Sequence, residues 1–448
     1  MSDQEEIEAL RAENAALRAE NAALHETVRR LEERLAALEQ TKTPPPAWVR
    51  PNRPPTAEGE GRPRKQRASE QNAGRRRSTP TRIERHAYER CPDCGYALRG
   101  AAIKRRREVI EVPAVGYEVV EHQIIKRHCP VCRAWKTPPV SFAGITLGQS
   151  RIGVRLASLI GTLRTTGRLP LATIQAHLAQ VYGLPLSKGG IQDILRRLAA
   201  TLAPVREQIA QEARGSPARH MDETGWREAG QNGYLWVQAT DGPQPTRQYT
   251  YQRSRAGSVA RALAGDGEGG ALVTDFYAAY DRVPGAKQRC WAHLLREVHA
   301  LGEAHPERPD VQDWVAAVQG LYTRARAWDT TSLTERERAR LAGECERRSR
   351  ALARCYRRTD GHPAQVLAQR LHRYESELFT FVRTPGVPAT NNAAERAVRP
   401  MVITRKISGG SRSATGSRVR CDLATPFSTW AARSLNPFAA CLAALQAP

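Results

Sequence analysis

Leucine returns at every seventh position along the start of the chain: Leu10, Leu17, Leu24, Leu31 and Leu38. Four residues after the first four of these lie Asn14, Asn21, Val28 and Leu35, with Ile7 ahead of them. Leucine at d with asparagine at a is the pattern of a two-stranded parallel coiled coil, where a buried asparagine fixes register and partner number at some cost in stability. Residues 5–40 are therefore expected to form a zipper that makes a homodimer; a solvated amphipathic helix is the plainer alternative. Periodicity then vanishes over residues 41–88, where TPPPAWVRPNRPP, GRPRKQR and AGRRRSTP make a basic, Pro-rich tether. Such clusters either hold phosphates without sequence choice or remain simply solvated.

Within residues 89–140 the stretches REVIEVP and YEVVEHQIIKRH read as strands. Residues 150–205 turn helical, with apolar positions at Ile152, Leu156, Leu159, Ile160 and Leu163. LATIQAHLAQVYG follows and ends at Gly183; LPLSKGGIQDILRRLAATL comes next, with Ser187 as its N-cap. Two helices joined by a short Gly-containing turn resemble a helix-turn-helix, whose second helix enters the DNA major groove. That helix is expected over 187–202, presenting Lys188, Gln192 and Arg196. A small helical bundle with no DNA role would show the same periodicity.

After residue 214 the pattern changes again. PARHMDETGW reads as a strand ending at Asp222, Tyr234–Thr240 as a second and RQYTYQRS as a third. SVARALAG reads as a short helix, Gly269–Phe276 as a buried strand ending at Asp275, and CWAHLLREVHAL as a helix. This order predicts an α/β, ribonuclease H-like core over 215–300 and 384–410. Residues 301–383 interrupt it with helical spacings: Leu341, Cys345, Leu352 and Cys355, then Leu367, Leu371, Tyr374, Leu378 and Phe381. They predict a helical insertion built as an antiparallel pair, with its charge run on a solvated face. Residues 411–448 form a C-terminal cap.

Composition narrows the function. The 448 residues carry 69 Lys and Arg against 46 Asp and Glu, a formal charge of +23. A chain this basic attracts polyanions, nucleic acid first among them. The skew of arginine over lysine carries no weight by itself. The start, MSDQEEIEAL, is acidic and has no apolar core, so no secretory segment is expected. No run approaches the roughly 18–20 apolar residues that span a bilayer, which excludes a membrane partner and places the protein in the cytoplasm. Its nine cysteines are then free thiols or metal ligands rather than disulfides.

Four of these cysteines form two knuckles, Cys91-Pro-Asp-Cys94 and Cys129-Pro-Val-Cys132, separated by 34 residues. Two C-x-x-C pairs suit one tetrahedral, structural zinc in a ribbon of short strands. Redox dithiols are the alternative, but no βαβ pattern surrounds them. His128 is adjacent to Cys129 and is not counted as a ligand.

Three acids carry the chemistry. Asp222 and Asp275 follow strand-like runs, and Glu395 lies on a helix that begins at Asn391-Asn392. Asparagine at that position is expected to cap the helix. Three such carboxylates converging can hold two divalent cations, magnesium or manganese, which stabilise the attacking and leaving oxygens of a phosphodiester. Each acid alone is an ordinary turn or surface residue; the joint pattern is what argues for a site. Glu223 faces the other side of its strand, and Asp281 is a rival to Asp275. Arg396, Arg399, Arg405 and Lys406 follow Glu395 and are candidates to grip a DNA strand.

HMDETGWR, TDFYAAYD followed by CWAHLLRE, and NNAAERAVRP followed by RK resemble the signature blocks of the insertion sequence 66 transposase family. The resemblance runs from about residue 5 to residue 445, zipper, ribbon and helical unit included. It implies a D-D-E transposase with Asp222, Asp275 and Glu395 as its triad, acting on double-stranded DNA at the terminal inverted repeats of its own element and at a target. It also implies a cytoplasmic protein at the bacterial nucleoid, helped by accessory proteins from the same element. A Cys-x-x-His pair follows the second Asp in that family, here Cys290 and His293. The pair braces the site, contacts DNA, or is a core cysteine beside a satisfied histidine. Many D-D-E enzymes place a cation seven residues after the Glu, but that position here is Val402, which leaves Arg399 or Lys406 for the task. The rival readings are a DNA-binding regulator and a nuclease that cuts without joining.

Overall fold

The computed structural model describes residues 80–100, 114–265 and 269–447 without a break, and outside these runs residues 18, 21, 22, 24–30, 32, 33, 103, 104, 107 and 110. The described residues of the zipper segment are helical and exposed, Leu24 and Val28 among them. Leu10, Leu17, Leu31, Leu38, Ile7, Asn14 and Leu35, and the tether up to residue 79, lie outside the described residues. Two compact units divide the chain, Met1–Val112 and Pro113–Pro448.

In the first unit, Cys91–Cys94 forms a tight turn. Gly95 N–H donates to the Cys91 carbonyl at 2.9 Å, and Cys91 N–H to the Tyr96 carbonyl at 2.8 Å. In the second unit, β1 (Arg127–Cys129) and β2 (Ala134–Lys136) pair antiparallel and carry the other knuckle between them. The strand expectations need correction here. REVIEVP lies mostly outside the described residues, and Tyr117–Lys126 contains no strand. Val119, Val120 and Ile125 are exposed there, so no packed layer holds that segment extended.

Four helices follow: α1 (Val154–Thr165), α2 (Leu171–Tyr182), α3 (Lys188–Thr201) and α4 (Ala203–Arg214). Helix α2 stops at Gly183, whose φ of 66° suits a residue without Cβ. The Ser187 hydroxyl accepts the Gly190 N–H at 3.0 Å and starts α3 as the sequence predicts.

The sheet has five strands: β3 (Ala218–Glu228), β4 (Gln231–Ala239), β5 (Arg247–Gln252), β6 (Ala271–Thr274) and β7 (Lys287–Arg289). Their order is β5-β4-β3-β6-β7. The first three strands are antiparallel, and β6 and β7 run parallel to β3. Ala229 and Gly230, with φ of 51° and 82°, make the two-residue reversal between β3 and β4. Helix α5 (Gly257–Ala264) provides the crossover to β6, which is buried on both faces as a parallel strand must be. Two expectations change. Strand β3 runs through Asp222 to Glu228 rather than ending at it, because it stays paired with β4 along its whole outer half. And β7 went unforeseen, since Lys-Gln-Arg carries no strand signal; Gln288 and Arg289 are nonetheless fully buried.

Helix α6 (Trp291–Ala304) leads into the insertion: α7 (Pro309–Arg326), α8 (Glu335–Tyr356), α9 (Gln365–Arg373) and the single turn α10 (Thr380–Arg383). The insertion is therefore more than an antiparallel pair. Leu367, Leu371, Tyr374, Leu378 and Phe381 are all buried, but the helix breaks between residues 374 and 379. Helix α11 (Asn392–Ser408) then returns to lie across β3 and β4. Helix α12 (Ala414–Ala432) packs on β5, α1, α3 and α4, and α13 (Pro437–Gln446) closes against α1. Leu423, Phe427 and Trp430 of α12 join the core of the N-terminal helices. Cys421 and Ala424 of the same helix join the core between α11 and the sheet.

Candidate active site and nucleic-acid interface

The parallel register of β3 and β6 runs from Ala218 opposite Ala271 to His220 opposite Val273. Continued by two residues, it sets Asp275 beside Asp222, one strand spacing of ~4.8 Å away. Alternation puts Asp222 on the same face as His220 and Thr224, the face that α11 covers. Glu223 points the opposite way, where it accepts from Arg255 at 2.9 Å and from the Tyr280 hydroxyl at 2.6 Å. Asp222 Oδ1 takes the Glu223 N–H at 2.8 Å, and Asp275 Oδ1 takes the Tyr277 N–H at 2.9 Å. Among the described residues no arginine or lysine pairs with Asp222 or Asp275. Burial, then the negative charges of Glu223, Asp275 and Glu395, push the Asp222 carboxyl up to about 7.

Asp281, the rival acid, is fully engaged. It receives Arg289 at 2.5 Å, Arg373 at 2.6 Å and the Tyr374 hydroxyl at 3.3 Å. Arg289 was missed in the sequence because a lone arginine on a three-residue strand has no pattern. It is buried, holds Glu377 at 2.6 Å and donates to the Asp275 backbone carbonyl at 3.0 Å. The residue that follows β6 is thereby fixed in place.

Glu395 lies in the first turn of α11, where an acid faces the positive end of the helix. Asn391 does not cap that helix with its side chain, contrary to expectation. Its amide instead reaches the strand carrying Asp222: Nδ2 donates to the Met221 carbonyl at 2.8 Å, and Oδ1 lies 3.1 Å from His220 Nδ1. Burial pushes the His220 imidazole down to about 4, so it is neutral and donates Nδ1–H to that oxygen. The Asn391 backbone N–H donates to Cys290 Sγ at 3.1 Å. One buried asparagine thus joins α11, β3 and the start of α6. Cys290 precedes α6, His293 lies in its first turn, and His293 Nδ1 is 3.6 Å from Glu395 Oε1.

The candidate cations fall into two groups. Arg399 and Lys406 are exposed on α11. Arg396 pairs with Asp241 at 2.8 Å, and half-buried Arg405 donates to Thr224 Oγ1 at 3.1 Å and to the Gly225 carbonyl. Arg405 therefore ties α11 to β3 rather than facing solvent. On α3, Lys188, Gln192 and Arg196 are exposed one turn apart, with Arg196 also paired to Asp193. They line a cleft of about 820 Å³ whose other walls include Arg164, Arg412 and Arg420. Burial pushes Arg420 down to about 9 and Arg164 to about 10, with the charge of Arg164 adding to the effect on Arg420. Arg420 Nη2 is buried without a partner. Two guanidinium groups crowded in this way are stabilised by an anion.

Each cysteine knuckle is shaped around its first sulfur. Backbone N–H groups of Asp93 and Cys94 hold the Cys91 thiol below its ordinary value, and those of Cys132 and Val131 do the same for Cys129. The Cys132 N–H lies 3.4 Å from Cys129 Sγ. Donors so placed favour thiolates, the form that binds a metal.

The family model described as "Transposase IS66 family" matches residues 149–419. The chain belongs to the IS66 transposase family. That match takes in the N-terminal helices, the sheet, the insertion and α11, with all three acids inside it. A curated relative, "Uncharacterized protein y4qI" of Sinorhizobium fredii (strain NBRC 101917 / NGR234), is 27% identical over 228 residues, 46% of this chain. The aligned part covers 41% of that relative's own length. Among the described residues, no helix is long and apolar enough to cross a membrane.

Proposed function

We propose that this IS66 family member is a D-D-E transposase that binds the terminal repeats of its element, cuts a strand there and joins the freed 3′-hydroxyl to target DNA. The observation that carries the reading is the unneutralised acid cluster. Asp222 and Asp275 sit side by side with no cationic partner among the described residues, and Glu395 is close enough to raise the Asp222 carboxyl further. A sheet in the order β5-β4-β3-β6-β7 with the third acid on a later helix supports the ribonuclease H-like expectation.

The donor set fits magnesium or manganese, since hard cations take carboxylate oxygens and would relieve the mutual repulsion of these groups. Bound there, the ions supply Lewis-acid stabilisation of the attacking and leaving oxygens. The protein's own part is positional. Arg289 fixes the backbone at Asp275, Asn391 fixes α11 against β3, and Arg405 repeats that tie further along the helix. No Ser, Tyr or His nucleophile is required. Lys188, Gln192 and Arg196 contact the repeat, while Arg164 and Arg420 take a backbone phosphate in the same cleft. Arg399 and Lys406 hold the strand beside the acids. Zinc is the ion proposed for the cysteine knuckles, and a zipper homodimer is proposed for the N-terminal segment.

The test is magnesium-dependent nicking and joining of a labelled repeat end. Asp275→Asn is expected to abolish both while repeat binding stays within a few-fold. Equal loss of binding argues against a catalytic role. Binding without cleavage by the wild-type protein would favour a DNA-binding regulator, and cleavage without joined products a nuclease.

A further inference from the structure

Cys290 Sγ, a ring nitrogen of His293 and a carboxylate oxygen of Glu395 lie within 4.8 Å of one another. His293 Nδ1 and Glu395 Oε1 are both buried atoms without a hydrogen-bond partner, 3.6 Å apart. A buried nitrogen and a buried oxygen that face each other beyond hydrogen-bond length call for a third body. We propose that Cys290, His293 and Glu395 bind one borderline-soft divalent cation, zinc in class, at a site separate from the cysteine knuckles and sharing Glu395 with the acid cluster.

The donor set decides the class of ion. A thiolate and an imidazole suit zinc and discriminate against magnesium, which takes oxygen donors. The spacing agrees. Tetrahedral zinc with Zn–N and Zn–O of roughly 2.0–2.1 Å sets those two atoms ~3.3 Å apart, slightly closer than they stand here. Burial holds the Cys290 thiol above its ordinary value, and the backbone N–H groups of Asn391, His293 and Ala292 that point to the sulfur only partly oppose it, so the ion itself must displace the thiol proton. Binding releases the thiol proton to solvent, and the thiolate and carboxylate then balance the two positive charges. Three protein ligands leave a fourth position for water.

The competing account is a protonated His293 paired with Glu395. It leaves the contact, at 3.6 Å, longer than a charge-assisted hydrogen bond of roughly 2.7–2.9 Å. A zinc-class ion fixes one oxygen of Glu395 and leaves the other for the hard cations. The consequence for catalysis rests on the proposed D-D-E reading; the binding itself does not.

The experiment measures zinc per chain in the purified full-length protein after equilibration in a zinc buffer. Wild type is compared with Cys290→Ser, His293→Gln and the knuckle variant Cys91→Ser/Cys94→Ser, with circular dichroism checking each fold. Cobalt serves as the spectroscopic probe. Cys290→Ser and His293→Gln are each expected to lose one equivalent that the knuckle variant keeps, and Cys290→Ser to lose part of the near-ultraviolet sulfur-to-cobalt band. An unchanged zinc count in a folded His293→Gln or Cys290→Ser protein overturns the site. Loss of one equivalent in a protein that never nicks DNA overturns the proposed function and leaves this site standing.

Discussion

Asp222→Asn should destroy activity and, above neutral pH, make the magnesium-free protein more stable. The Asp222 carboxyl is displaced from its ordinary 3.8 to about 7, chiefly by burial. A displacement of about three on the pH scale corresponds to ~4 kcal/mol between the two protonation states. The folded protein binds this proton more tightly than the unfolded chain does between those two values. Stability from Asp222 is therefore fully present below pH 3.8, falls as pH rises, and is lost above about 7. Asparagine keeps the carbonyl that accepts the Glu223 N–H and carries no charge to bury. The variant should then gain up to ~4 kcal/mol over wild type at pH 8, and close to nothing at pH 4. Urea unfolding in magnesium-free buffer, followed by the fluorescence of the buried Trp226, Trp236 and Trp291, reads the difference at both pH values. Added magnesium should narrow the gap at pH 8 by stabilising only the wild type. A variant less stable than wild type at pH 8, or offset equally at both pH values, refutes the reasoning.

Asn391→Ala leaves the Met221 carbonyl and the His220 ring unsatisfied in the core, so ~2–4 kcal/mol of stability should be lost, as measured by the same urea unfolding. Its nicking reaction should also need more magnesium for half-maximal rate, because α11 is no longer tied to β3. Arg420→Met should weaken binding to repeat and unrelated DNA alike and reduce the salt slope by roughly one counterion, as filter binding across a salt series would measure. Gln192→Ala should instead weaken the repeat more than unrelated DNA by ~1–3 kcal/mol; equal losses on both DNAs would show that α3 does not read bases.

The elements that carry the proposed acids were legible because their surroundings repeat simple rules. An apolar run before Asp275 is a buried strand, and the helix of Glu395 starts at Asn392, within the Asn391-Asn392 pair expected to open it. The start of α3 followed from Ser187 as its cap, and the helix ends at Thr201 beside the expected residue 202. What stayed hidden was long-range. Strand β7 is polar because Gln288 and Arg289 bond across the insertion, to Leu378 and Glu377, and no local window contains those partners. Asn391 looked like a cap because capping is a local habit, whereas its partners lie 170 and 171 residues earlier. Arg405 resembled a DNA contact for the same reason. Its acceptors, on β3, lie 180 and 181 residues away.

Helix α12 has a consequence for synthesis. It supplies side chains to two otherwise distinct interiors, Leu423, Phe427 and Trp430 to one and Cys421 and Ala424 to the other. Neither interior closes while those residues are still inside the ribosome. A nascent chain halted before α12 would therefore present open apolar surface on both the N-terminal helices and the sheet, and would be a target for chaperones and proteases rather than a partly working fragment.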